Sequence, residues 1–196
     1  FLRDFGLTLP PDRAPLAAGS ELSTLNAQLP TSPAPIALIP GSENTPEKRW
    51  PVAHWRALIE ALPGERFAVF GTPNDGPIAA AVATGFESRV ENLAGKTTLP
   101  AFAENLRACR ALVTNDTGGM HLANAIGVPL VVLFGPTNPQ RTGPVFATPA
   151  RILQPPGCPP TGGAALADLA PPIVVAALHE LLRSPLSASS SPGIRP

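Results

Sequence analysis

Between residues 35 and 183 short apolar runs alternate with stretches of helical periodicity, and that alternation leaves few architectures open. PIALIP (35–40), RFAVFG (66–71), ALVTND (111–116) and PLVVLFG (129–135) are too short for helices and read as buried strands. VENLAG (90–95) and RILQ (151–154) are two weaker strands. After PIALIP, Val52, Trp55, Leu58, Ile59 and Leu62 recur at helical spacing. Pro51 suits the first helical position, and Pro63-Gly64 stops the helix. IAAAVATGF (78–86), LPAFAENLRACR (99–110), GMHLANAIG (119–127) and PPIVVAALHELLR (171–183) are the other helices. In 99–110 the expected stripe is Leu99, Phe102, Leu106 and Cys109. Strands alternating with helices at this spacing predict an α/β, Rossmann-like domain: a parallel sheet with helices on both faces.

The flanks differ from this block. Residues 1–34 are short apolar pieces broken by prolines, and read as the end of a preceding N-terminal domain plus a linker. Residues 184–196, SPLSASSSPGIRP, have little to bury and read as a disordered tail. The Rossmann-like domain is therefore expected over 35–183.

Charge narrows the partners. Fourteen basic residues balance fourteen acidic ones, so the chain has no basic excess for nucleic acid or an anionic membrane. A small anion remains open, because it needs only a few local donors. Cys109 and Cys158 are the two cysteines, and no Cys/His spacing suits zinc. No apolar run reaches the ~18 residues of a membrane span, and no secretory signal precedes the first strand. A cytoplasmic protein is the expectation.

Chemistry concentrates at the ends of strands, where ligands of α/β domains bind. In VTNDTGGMHLANAIG (113–127) a strand runs into a helix through Asp116, Thr117, Gly118 and Gly119, with His121 in the first turn. The free amides and positive dipole end of such a helix attract phosphate, and the glycines let a ligand approach the backbone. Asp116 or Thr117 as a simple helix cap is an equal reading of the same spacing. PGSENTPEKRWP (40–51) also leaves a strand and enters a helix, carrying Ser42, Asn44, Thr45, Lys48 and Arg49. Cations there oppose the helix dipole and favour a nearby anion. Two donor-rich loops on one sheet edge suit a diphosphate. GTPND (71–75) supplies a third wall, where Asp75 either caps a helix, the favoured reading, or accepts from ribose hydroxyls. In the fourth loop, 133–144, Arg141 is the one cation and reads as solvated, while Trp50 and Trp55 read as packing residues.

The run NDTGGMHLANAIGVPLVVLFGPTNPQRTGP closely resembles the signature of the ADP-heptose:lipopolysaccharide heptosyltransferases, inverting glycosyltransferases with two Rossmann-like domains (the GT-B architecture). The likeness extends upstream through PGS…KRWPVAHWRALIEAL and VFGTPND, over residues 35–183, all in the family's C-terminal donor-binding half. It implies that Lys48 contacts the donor diphosphate, with Ser42 or Thr45 assisting, and that Asp116, Thr117, Gly118 and His121 surround the nucleotide-sugar. Gly119 stands where the family often has proline, and Asp75 falls near an acid facing the nucleoside.

By the same resemblance Lys48 and His121 stabilise the leaving diphosphate, while the general base and the site for a glycolipid acceptor lie in the N-terminal half. The implied donor is ADP-heptose or another nucleotide-sugar, with no metal and no cofactor. Peripheral membrane association is implied only for a full-length enzyme. Two other readings accompany it: a non-catalytic nucleotide-sugar-binding module, and a nucleotide-sugar epimerase, which would need cleft carboxylates.

Overall fold

In the computed structural model, which describes residues 33–42 and 45–183, β1 (Ile36–Ile39) lies at the centre of the sheet. Its neighbours are β2 (Phe67–Val69) on one side and β4 (Ala111–Asn115) on the other. β3 (Val90–Asn92) extends the sheet beyond β2, and β5 (Leu130–Leu133) and β6 (Ala150–Leu153) extend it beyond β4. The order is β3-β2-β1-β4-β5-β6, with every pairing parallel. The expected preceding domain and linker up to residue 32, Asn44 and the tail 184–196 fall outside the described residues.

Alternation along the strands builds two cores. Ile36, Leu38, Phe67, Val69, Ala111 and Val113 point to one face, under α1 (Val52–Glu60), α2 (Gly76–Ala83) and α6 (Pro171–Arg183). Ala37, Ile39, Ala68, Phe70, Leu112 and Val132 point to the other, under α3 (Leu99–Arg107) and α4 (Gly118–Ala125). Continuous burial of β1, β4 and β5 explains why these strands read as unbroken apolar runs. Trp50 and Trp55 are fully buried, edge to face at 5.1 Å, and the Trp50 indole donates to Leu169 O at 2.8 Å. They pack, as their sequence context indicates.

Three expectations need correction. Pro51 is the cap before α1, not its first residue, and its carbonyl accepts from the His54 and Trp55 amides. Leu99 leaves the buried stripe of α3: it is 71% exposed, because the first turn of that helix stands at the mouth of a cavity. The loop 133–144 contains a one-turn helix, α5 (Pro139–Thr142), begun by Asn138, whose side chain accepts from Gln140 N.

Candidate functional site

The strand order reverses at β1. The chain leaves β1 toward β2 and β3, then crosses back through α3 to β4 on the other side. Loops following β1 and β4 therefore diverge and leave a crevice between them, the place where open α/β sheets bind ligands. A cavity of about 730 Å³ opens there. Ser42, Thr45, Lys48, Asp75, Asp116, Thr117, Gly118 and Gly119 all line it. Eight candidate residues from three loops thus meet in one place.

His121 does not join them. Gly118, Gly119 and Leu122 face the cavity, whereas His121, about 100° around the helix from Leu122, is exposed on the flank of α4.

Charge in the cavity is organised as a pair. Lys48, at the end of the 3₁₀ turn Pro46–Lys48, places its ammonium 3.0 Å from Asp116 Oδ2. The Asp116 side chain is 6% exposed and that of Lys48 23%. The same carboxylate oxygen accepts from Thr142 Oγ1 of α5 at 3.3 Å. Among the described lining residues Lys48 is the one cation, and Asp75 and Asp116 are the two carboxylates. Arg49 turns away from the cavity to grip Ser42 O through Nε and a terminal nitrogen, at 3.2 and 2.8 Å. Arg49 fixes the loop, and Lys48 serves the cavity.

The N-terminus of α4 forms the floor. Thr117, its extended N-cap residue, makes no side-chain cap, and the Met120 amide donates to Thr117 O at 3.1 Å, so the amides of Gly118 and Gly119 are the ones offered to a ligand. The capping alternative for Thr117 is therefore absent here. Asp116 is occupied by Lys48 and Thr142.

Asp75 forms the far wall and is 5% exposed. Its Oδ2 accepts from the Thr72 amide and hydroxyl, each at 2.9 Å, closing the 3₁₀ turn Pro73–Asp75. The capping reading of Asp75 is thus met for this 3₁₀ turn and not for α2, where Asp75 is the N-cap residue without a side-chain cap, and the residue still lines the cavity. Ile39, Leu99 and Phe102 add an apolar side. Ile39 and Phe102 lie against Gly119, so the cavity combines a cation, helix-start amides, an acid and apolar surface, a set that suits a phosphorylated nucleoside.

Asn115 and Thr142 were not among the residues singled out from sequence. Asn115 is wholly buried, and its side chain donates to Pro40 O and Gly41 O and accepts from Trp50 N. The Asn-Asp dipeptide at a strand end was the available signal for it. Thr142 had none, since its role depends on where α5 lands. Among the described residues no group of three or more His, Cys, Asp or Glu side chains is placed to hold a metal ion. Nor is any described helix long and apolar enough to cross a membrane.

Comparison with known proteins places this cavity in context. The family model of glycosyltransferase family 9 (heptosyltransferase) matches residues 5–161. Lipooligosaccharide heptosyltransferase 2 of Haemophilus influenzae is 39% identical over 127 residues, 61% of this chain and 37% of the relative. Two solved structures from Escherichia coli share the fold. ADP-heptose lps heptosyltransferase II superposes with a TM-score of 0.67 at 36% identity, covering 78% of this chain and 47% of that one. Heptosyltransferase WaaC with ADP gives 0.66 at 30% identity, covering 78% and 46%. The chain spans somewhat more than a third of the curated relative and about half of each solved chain.

Proposed function

The chain belongs to glycosyltransferase family 9, the heptosyltransferases, and from that premise we propose that its cavity binds the nucleotide-sugar donor of an inverting transfer to a lipopolysaccharide-type acceptor. The observation that carries the proposal is the convergence of Lys48 and the uncapped start of α4 on one cavity at the reversal of strand order. One relative was solved as a complex with ADP, which supports ADP as the nucleotide of the donor.

In this reading the acceptor hydroxyl attacks the anomeric carbon in line while the nucleoside diphosphate departs. The C–O bond to the diphosphate breaks as the new glycosidic bond forms, and the configuration inverts. Negative charge grows on the leaving diphosphate. Lys48 and the amides of Gly118 and Gly119 stabilise that charge from fixed positions, and removal of one such donor typically costs about 3 kcal/mol of barrier. His121, exposed on the flank of α4 and outside the cavity lining, is assigned a further contact to the donor from that side. Ser42 and Thr45 donate hydroxyls to the phosphates, Thr117 assists at the helix start, and Asp75 accepts from the nucleoside side.

The proton of the acceptor hydroxyl needs a base. Asp75 is held by Thr72, and Asp116 by Lys48 and Thr142. We therefore assign the general base and the glycolipid site to an N-terminal domain facing this one across a cleft, with the complete enzyme working in the cytoplasm.

Calorimetric titration of the chain with ADP, UDP and an ADP-sugar tests the donor assignment. ADP compounds are expected to bind more tightly than UDP. Lys48→Ala and His121→Ala are each expected to weaken binding by ~1–3 kcal/mol, the scale of charge-assisted hydrogen bonds. A folded chain that binds none of the three ligands sinks the proposal.

A further inference from the structure

The β1–β4 ladder ends at the pair Ile39 and Thr114. One residue further on, Asn115 continues the connection with its side chain. Nδ2 donates to Pro40 O at 2.9 Å and Gly41 O at 3.2 Å, and Oδ1 accepts from Trp50 N at 3.3 Å. These partners bracket the segment that carries Ser42, Thr45 and Lys48. On its other side Asn115 is joined by one peptide bond to Asp116, the partner of Lys48.

We propose that Asn115 is a positioning residue of the donor site, holding the Lys48 loop in register with Asp116 and the start of α4 so that ammonium and helix amides converge on one diphosphate. The inference rests on the donor-site reading above. Its chemistry is specific to a primary amide. Two donors and one acceptor, all at the end of a short side chain, satisfy two carbonyls and one amide in a wholly buried place. Aspartate brings no donor and a buried charge, serine offers a single donor, and leucine leaves all three backbone groups unpaired. Arg49 reinforces the same loop from within by its fork on Ser42 O. Fixing donors in advance of the ligand is what lets them act without reorganisation.

The test is ADP titration and thermal unfolding of the native chain, Asn115→Ala, Asn115→Ser, Lys48→Ala and the Asn115→Ala/Lys48→Ala double variant. Leu62→Ala serves as the control: it is buried beyond the far end of α1 and is not a lining residue. Asn115→Ala is expected to weaken ADP binding about tenfold in the native background and by less than about twofold once Lys48 is gone, the non-additivity of residues acting together. Asn115→Ser should fall between Asn115→Ala and the native chain. Leu62→Ala should lower the melting temperature and leave ADP affinity within about twofold of native.

Equal losses in both backgrounds, or unfolding of both Asn115 variants, assign Asn115 to stability alone and overturn the inference. If the native chain binds ADP and Lys48→Ala weakens it while Asn115→Ala does not, positioning fails and the donor site stands. If the native chain binds no ADP, the donor site fails and the inference with it.

Discussion

The Asp75 carboxylate fills the space that a Cβ on Gly41 would occupy. Backbone of the loop after β1 and a side chain of the loop after β2 are thus in direct contact, and Gly41 has no freedom to become another residue without moving Asp75. Gly41→Ala is expected to push Asp75 off Thr72 and to destabilise the domain by about 1–3 kcal/mol, the usual cost of overpacking. Denaturant unfolding measures the loss, and ADP titration should show weakened binding alongside it.

Lys48 carries a charge contribution that salt can expose. Its side chain is partly solvated, so raising ionic strength should weaken ADP binding to the native chain. Lys48→Ala should bind more weakly at every salt concentration and with a flatter salt dependence. Titrations at two or three salt concentrations distinguish this from a simple loss of fold.

Thr142 Oγ1 lies 3.3 Å from both Asp116 Oδ2 and Asn138 O, and its single proton is shared between the two acceptors. Thr142→Val keeps the shape and removes the hydroxyl. The expected cost in ADP affinity is about 0.5–1.5 kcal/mol, the net worth of one hydrogen bond, with Thr142→Ser close to native. Parallel calorimetry of the two variants checks it.

The two cysteines should differ in reactivity. Burial pushes the Cys109 thiol up from its ordinary 9.0 to about 11, whereas Cys158 is only half-buried. Alkylation near pH 8 should modify Cys158 in the folded chain and reach Cys109 only after denaturation. Mass spectrometry of the two samples reads this directly. The raised value also sets a pH trend. From about 9 to about 11 the unfolded thiol ionises while the folded one keeps its proton, so the folded state binds more protons and stability falls as pH rises.

What could be read in advance followed the range of the underlying physics. Burial on both faces writes IALI, ALVTN and LVVL into the sequence as apolar runs, so β1, β4 and β5 were visible. The candidate residues of 42–48 and 116–119 were visible too, since loops of parallel strands gather on one edge. Their pairing was not. Lys48 and Asp116 are separated by 68 positions, and no local pattern says that one carboxylate will meet one ammonium. Nor does a Thr on a one-turn helix announce that it will touch Asp116. Leu99 shows the converse error. Helical spacing assigns a face, but the cavity decides whether that face is covered. The helical phase of His121 likewise puts it on the flank of α4 and off the cavity lining, so its part in donor binding rests on the His121→Ala titration.

The reversal of strand order has a consequence for how this domain comes together. The two sides of the cavity come from different halves of the sheet, one from the segments that follow β1, β2 and β3 and the other from the end of β4 and the start of α4. Neither half alone holds a working fragment, because the cation comes with the first and the helix start with the second. The proposed donor site is therefore complete only when the β1–β4 seam is closed. In the proposed donor site, a nucleotide bound across that seam acts as a clasp: any opening that parts β1 from β4 must first release it.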